Sequence, residues 1–382
     1  MANQVQIVHI YPGTGGSAGL YMEEIYSALD VEFKQACLVN YYFPFKFGKK
    51  LFYKHTEMVG KNVFSKFPLF RLYVRFLELI FAYMRAFGLI KWKYKPEVIN
   101  FSMTTNLRLE LWFLKLLRKY TKAKIVLTCH DVVPFKTTYS NFEDDLAFRK
   151  AFFDTADYLL VHNPNSRKDL RQYYDMDEHK IVAHDFPVMD LAKLPGGEDY
   201  AQVSVVSSDE IKFSFVGHMR KEKGINVLLD AWKKNQKEHI SLDIVGNCPT
   251  TIKIDSSKYK NLYFSDAFLS DDDYMKQIAK SDFIILPYMS GTNSGIPSSV
   301  ASLGSIPITS DIDMFLNNSL VDKELMFSNG NSDALFELIE RVGELTREEI
   351  SGIKKEQKSR LASYKARFSE QVIATYKHLL FK

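Results

Sequence analysis

A chain of 382 residues is long enough to form two domains, and 46% hydrophobic with 25% charged residues excludes disordered, fibrous and membrane-spanning classes. The net charge is +4. Cys37, Cys129 and Cys248 lie far apart without metal-ligand spacing, and Met1-Ala-Asn-Gln-Val-Gln lacks the regions of a signal peptide, so the expectation is a reduced, cytoplasmic protein.

Val5 to Ile10 reads as a buried strand. It runs into Tyr11-Pro-Gly13-Thr14-Gly15-Gly16-Ser17-Ala18-Gly19, and a helix follows to about Leu29. Gly15 and Gly16 are candidate phosphate contacts, because a glycine-rich turn before a helix offers free N–H groups. The full dinucleotide fingerprint is absent, which argues against NAD, and a tight structural turn is the other reading.

Residues 41 to 96 differ from the rest. They hold twelve Lys or Arg, two acids (Glu57 and Glu78) and seventeen aromatics, a local balance of +10. Within them Phe70, Tyr73, Val74, Leu77, Ile80, Phe81 and Met84 share one face of a helix, with Arg71, Arg75, Glu78 and Arg85 on the other. The charges break the apolar run, which argues against a transmembrane helix. Two readings fit: a helix on an anionic membrane surface, or a domain helix with that face in the core. Nucleic acid is disfavoured, since no recognised binding module accompanies the basic residues.

Glu97 to Phe101 and Lys124 to Thr128 are further strands around a helix from about Leu107 to Tyr120. The second strand ends in Cys129-His130-Asp131, where open α/β sheets place ligand-binding groups. His130 is a candidate there; a capping or buried histidine is the other reading. A strand from Ala156 to His162, a helix from about Ser166 to Tyr174 and Lys180 to Ala183 complete the first half. Pro187, Pro195-Gly196-Gly197 and a Ser/Asp/Glu cluster make residues 187 to 210 the expected linker.

The second half opens on Phe213-Ser-Phe-Val-Gly217-His-Met-Arg220-Lys-Glu-Lys223-Gly224, a strand and a basic loop. Ile225, Leu228, Leu229 and Trp232 have the spacing of a helix face. A glycine that lets backbone approach a ligand, two cations and a helix N-terminus are what a diphosphate needs. Strands follow at about 241–246, 261–264, 282–286 and 306–309. Ser281-Asp-Phe-Ile-Ile-Leu-Pro287-Tyr288 runs into Met289-Ser290-Gly291-Thr292-Asn293-Ser294-Gly295, a loop of small polar residues. The chain is mostly helical from Ser332. Alternating strands and helices predict parallel sheets covered on both faces.

Residues 211 to 311, with "F-V-G-x-x-R-x-x-K-G" and "D-x-x-x-L-P-Y-x-S-G-T-x-S-G", resemble the C-terminal domain of the retaining glycosyltransferase family four. That resemblance implies an α/β protein of GT-B fold, with two Rossmann-like αβα domains facing each other across a cleft. The implied bounds are 1–190 for the acceptor domain, 205–364 for the nucleotide-sugar domain, and 365–382 for a helix returning to the first. It implies a retaining sugar transfer from a nucleotide-diphosphate sugar, without metal or other cofactor. Arg220 and Lys223 would hold the diphosphate. Gly217, Gly246 and Ser290, Gly291, Thr292, Asn293, Ser294 and Gly295 would line the donor site, with Gly15 and Gly16 facing the phosphates. His130 would touch the sugar. Many members carry two glutamates where this chain has Gly291 and Ser299; the second binds the ribose, and Ser299 offers one hydrogen bond where a carboxylate offers two.

Asp175/Asp177, Asp271/Asp273 and Asp311/Asp313 are Asp-x-Asp patterns, of which the third suits a metal site best. Alternatives to the transferase are a non-catalytic nucleotide-binding or scaffolding protein, which the missing carboxylate favours, and a nucleotide-sugar epimerase. The +10 segment suggests a peripheral protein acting on a lipid-linked saccharide acceptor in bacterial surface polysaccharide or lipopolysaccharide synthesis.

Overall fold

A computed structural model describes residues 4–13, 16–53, 68–104, 107–133, 142–201, 210–291 and 294–381. Gly15, Thr292 and Asn293 lie outside the described residues, as does the 54–67 part of the basic segment. The chain forms two compact units. One comprises residues up to Pro187 together with those from Phe368; the other runs from Val188 to Arg367.

The first unit is built on a parallel seven-stranded sheet. Its strands are β1 (Ile7–Tyr11), β2 (Gln35–Asn40), β3 (Gly48–Phe52), β4 (Val98–Phe101), β5 (Lys124–Thr128), β6 (Tyr158–Val161) and β7 (Ile181–Ala183), in the order β3-β2-β1-β4-β5-β6-β7. Helices α1 (Gly16–Leu29), α2 (Pro68–Gly88), α3 (Leu107–Tyr120), α4 (Phe142–Asp154) and α5 (Pro164–Tyr174) connect them. Continuous apolar runs such as Ile7–Tyr11, buried at every residue, suit a sheet covered on both faces. Strands β2 and β3 are not evident from sequence. β3 is an edge strand whose Lys49 and Lys50 stay exposed, so its apolar signal is two residues long.

The second unit holds a parallel six-stranded sheet. Its strands are β8 (Ile211–Val216), β9 (Ile240–Gly246), β10 (Leu262–Asp266), β11 (Phe283–Leu286), β12 (Ile306–Ser310) and β13 (Met326–Phe327), in the order β10-β9-β8-β11-β12-β13. The helices used below are α6 (Ile225–Trp232), α7 (Asp271–Ala279), α8 (Ile296–Ser302) and α9 (Arg347–Phe381). A buried carboxylate pins this sheet. Asp282 accepts from the Lys212 N–H (3.1 Å) and pairs with Arg347 (2.9 Å) and Lys354 (3.0 Å) at the start of α9. Burial would push its pKa up; the lysine, the backbone donor and the arginine overcome that and hold it below 3.8.

The last turns of α9 belong to the first unit. There Asn100 Nδ2 donates to the Tyr376 hydroxyl (2.7 Å), Lys124 Nζ to the Leu379 carbonyl (2.8 Å) and the Asp185 N–H to Gln371 (2.9 Å). Residues 188 to 194 are held within the second unit by serines of α8. The Met189 and Leu191 N–H groups donate to the Ser298 and Ser302 hydroxyls (2.9 and 3.1 Å).

Helix α2 does not bury the face that the domain-helix reading puts in the core. Leu79, Ala82, Tyr83, Ala86 and Phe87 are buried, whereas Tyr73, Leu77, Phe81 and Met84 are exposed. Two alanines let the helix sit close to the core, and Tyr83 donates to buried Glu110 of α3 (2.9 Å). The helix is apolar around most of its circumference, so the arc chosen for burial is set by its neighbours and not by its own period.

Candidate functional site

In an open parallel sheet, ligands bind beyond the carboxyl ends of the two strands where the strand order reverses. In the second unit those strands are β8 and β11. The loops that follow them are the basic loop 217–224 and the polar loop 287–295. The topology therefore puts both sequence-selected stretches at one point of the fold.

Contacts between these loops are close. The Met289 N–H donates to the Glu222 carbonyl (2.8 Å). Gly224 has φ +68°, and a Cβ there would lie 1.7 Å from the Pro287 carbonyl oxygen, so only glycine fits. Gly246 ends β9 with φ +150°, and a Cβ would lie 1.9 Å from the Gly217 carbonyl oxygen. Gly217 itself has φ +120° with open space where its Cβ would point. The ends of β8 and β9 thus meet backbone to backbone, leaving room above Gly217 for a ligand.

Arg220 is exposed and precedes a single 3-10 turn, Lys221–Lys223, before α6 begins. Lys223 is half-buried. Its ammonium sits 3.5 Å from the centroid of the Tyr288 ring, the residue after Pro287. Burial, then the neighbouring Arg220 charge, lower its pKa to about 8. The ring face partly replaces lost water, but an anion would complete the site. Tyr288 was not singled out from sequence; its position one residue past a buried strand was the available signal.

On the polar loop, Ser290 and Gly291 are exposed, and Ser294 accepts from the Ile296 N–H (3.3 Å). Gly295 precedes α8, and its carbonyl accepts from the Ser298 hydroxyl (2.8 Å). Ser299 is buried and its hydroxyl donates to the Met189 carbonyl (3.1 Å). Its proton is committed to the chain, so only oxygen lone pairs remain for a ribose.

The three Asp-x-Asp pairs occupy helix ends. Asp175 caps α5 in a left-handed conformation, Asp177 accepts from His179 N–H (2.9 Å), and Asp273 lies in the first turn of α7, accepting from Ser270 Oγ (2.7 Å). Asp311 accepts from the Asn329 N–H (2.7 Å), and Asp313 opens a short helix. Among the described residues, no group of three or more His, Cys, Asp or Glu is arranged to hold a metal ion.

The first unit offers a different edge. Here the order reverses between β1 and β4. Gly16 begins α1 after β1. Three successive strands end in a histidine: His130 beyond β5, His162 after β6 and His184 after β7. Their rings form a chain, with centroids 5.5 Å apart for 130 and 162 and 5.0 Å for 162 and 184. Tyr21 of α1 packs edge-on to His130 at 4.8 Å.

The hydrogen bonds fix the tautomers, since a carbonyl only accepts. His130 Nε2–H donates to Ser102 (2.8 Å), His162 Nδ1–H to His184 (3.3 Å) and His184 Nδ1–H to Asp185 (2.7 Å). His162 Nε2 then accepts from the Tyr21 hydroxyl (3.1 Å). Burial lowers all three pKa values, to about 4 for His184, and neighbouring histidines lower those of 162 and 184 further. His9, buried against Tyr376, is also lowered to about 4. At neutral pH these rings are uncharged. His162 and His184 were missed from sequence, although "L-V-H" and "V-A-H" repeat the strand-then-histidine signal of "L-T-C-H".

Solved structures with this architecture are similar along nearly their whole length. Sucrose-phosphate synthase from Thermosynechococcus elongatus has a TM-score of 0.61 at 16% identity, covering 99% of this chain and 98% of that one. The catalytic domain of starch synthase IV from Arabidopsis thaliana, bound to ADP and acarbose, has 0.61 at 11%, covering 97% and 100%. Anabaena HepE in complex with UDP-glucose has 0.60 at 12%, covering 99% and 100%. The fold is GT-B. The family described as glucosyltransferase 3-like, N-terminal domain, matches residues 98–186, the part of the GT-B chain that carries β4 to β7 and the histidine row. No curated protein matches the sequence.

Proposed function

We propose that the protein is a retaining glycosyltransferase that uses a nucleotide-diphosphate sugar and no metal. The observation that carries the reading is the pairing of Arg220 and half-buried Lys223 with the polar loop at the β8/β11 reversal. As the glycosidic bond breaks, negative charge grows on the departing diphosphate. Fixed cations at that point lower the barrier without reorganising. Lys223, destabilised by burial as a cation, is a group whose charge an anionic ligand would stabilise. The HepE complex and the ADP-bound starch synthase place nucleotides in proteins of this fold, which supports the assignment. Ser290, Gly291, Ser294 and Gly295 line the donor in this reading, with Gly217 and Gly246 giving backbone access.

His130, neutral and oriented by Ser102, contacts the sugar. The acceptor attacks from the face the diphosphate leaves, giving retention. That acceptor is a lipid-linked saccharide of surface polysaccharide synthesis, handled at the cytoplasmic face of the membrane.

A non-catalytic nucleotide-binding role is the second reading. It is favoured by the Ser299 hydroxyl, whose proton Met189 already takes. A thermal-shift panel of UDP, GDP and ADP tests donor binding, because a ligand stabilises by mass action; one nucleotide should raise Tm. Product analysis with a labelled nucleotide sugar, with and without EDTA, then decides. Transfer that survives EDTA supports the proposal. Nucleotide binding without transfer to any acceptor leaves the second reading, and activity abolished by EDTA returns the metal reading at Asp311 and Asp313.

A further inference from the structure

The outer arc of α2 is unusual for a water-facing surface. Tyr73 is 59% exposed, Leu77 46%, Phe81 66% and Met84 45%, and they recur at helical spacing along one stripe. Phe76 borders the stripe, and Trp92, 67% exposed, stands one turn past the end of the helix. Among the described residues nothing covers these side chains. The opposite arc of the helix is already in the core, so the stripe is not needed to fold the unit.

Its surroundings are cationic. Between residues 73 and 122 there are ten Lys or Arg and three acids, Glu78, Glu97 and Glu110, the last of them buried. Arg85, Lys93 and Lys95 are exposed, and Lys91 lies over the Phe87, Trp92 and Tyr120 rings at 5.6, 5.5 and 4.9 Å. Trp112 and Lys115 of the adjacent α3 are exposed too. An apolar stripe with aromatic residues at its ends and cations along its flank matches the interfacial layer of a bilayer. A helix of 21 residues lying flat offers about 30 Å of contact. No helix among the described residues is long and apolar enough to cross a membrane.

We infer that this face docks on an anionic membrane, with Tyr73, Leu77, Phe81, Met84 and Trp92 entering the headgroup layer and Arg85, Lys91, Lys93 and Lys95 facing acidic lipid headgroups. A second copy of the chain is the poorer occupant, because a two-fold contact would oppose these cations to themselves. The inference deepens the proposal of a lipid-linked acceptor by naming the surface that brings the enzyme to it. It does not depend on the donor site.

The test is sedimentation of the full chain with large vesicles of phosphatidylcholine alone or with 30% phosphatidylglycerol, at low salt and at about 0.5 M NaCl, where the screening length falls to a few ångströms. Binding to the anionic vesicles should be at least tenfold tighter than to neutral ones and weaken at least tenfold with salt. Leu77→Ser with Phe81→Ser should lose most binding with every charge kept. Arg85→Glu with Lys93→Glu should lose it with the stripe kept. All four side chains are exposed, so folding should survive, which the Tm and the nucleotide-induced Tm shift report. Absence of binding to anionic vesicles by the wild type, or binding indifferent to both double variants, overturns the inference. So does a dimer, seen by sedimentation velocity, that the Leu77/Phe81 variant dissolves. Intact nucleotide shifts without vesicle binding remove this inference alone; intact vesicle binding without nucleotide shifts removes the transferase reading alone.

Discussion

The carboxyl edges of the two sheets present different groups. The first unit lines its edge with neutral rings: three histidines with their protons fixed by carbonyls, together with Tyr21. The second lines its edge with glycines, Arg220 and a lysine strained by burial. Both edges come from the same parallel α/β construction, so the difference lies in what each was built to meet. Neutral rings whose protons are already committed can accept from sugar hydroxyls, which carry no charge and need oriented partners. A lysine held against a ring with part of its water removed, beside an exposed arginine, suits a diphosphate. Fold alone distinguishes neither; the residues at the strand ends do.

Acid should separate the two units most strongly. The buried histidines are neutral when folded and take protons when unfolded, so the first unit's stability should be flat above pH 6.5. It should fall as the pH drops from 6.5 toward the value of about 4 held by His9 and His184. Each tenfold loss of proton affinity is worth about 1.4 kcal/mol, so several kcal/mol are lost in that window. Asp282 has the same sense in a lower window: its lowered pKa contributes stability above 3.8, lost only as the pH falls below that value. Hydrogen exchange followed by mass spectrometry at pH 4.5 should show β5 to β7 losing protection before β8 to β12. Simultaneous loss would remove the contrast.

On the cationic edge, Arg220→Ala or Lys223→Ala should cost about 2.7–4 kcal/mol of transition-state stabilisation, or 100- to 1000-fold in kcat. Lys223→Arg should recover only part, because a planar fork does not replace a point charge above the Tyr288 ring. Near-normal turnover in both alanine variants would show that the diphosphate is held elsewhere.

A smaller effect follows from the Lys223 pKa of about 8. A bound diphosphate favours the ammonium, so nucleotide affinity should be constant below pH 7 and fall about tenfold by pH 9. Isothermal titration should find that slope in the wild type and lose it in Lys223→Ala; an unchanged slope would assign it to another group.

The smallest change sharpens the neutral edge. His130→Ala should reduce turnover by about tenfold or less, the worth of one net neutral hydrogen bond, and leave UDP or GDP affinity unchanged. Equal losses in both would place His130 at the nucleotide and blur the distinction between the edges.

The sequence by itself determined the parallel α/β architecture, because apolar runs such as Phe213 to Val216 and Phe283 to Leu286 report burial on both faces without any neighbour's help. It also determined the cationic loop, since Gly217, Arg220, Lys223 and Gly224 are consecutive enough for one turn to present them together. Tertiary structure decided the rest. β3 owes its place to pairing with β2, which a two-residue apolar signal could not announce. The histidine row joins residues from three separate strands, and adjacency across a sheet leaves no spacing along the chain. The Ser299 proton went to Met189, 110 positions earlier, a partner no local pattern names. Helix α2 is the clearest case: its own period marks the face of Tyr73, Leu77, Phe81 and Met84 as apolar, but packing against its neighbours buries the arc of Leu79, Ala82, Tyr83 and Ala86 and leaves that face exposed.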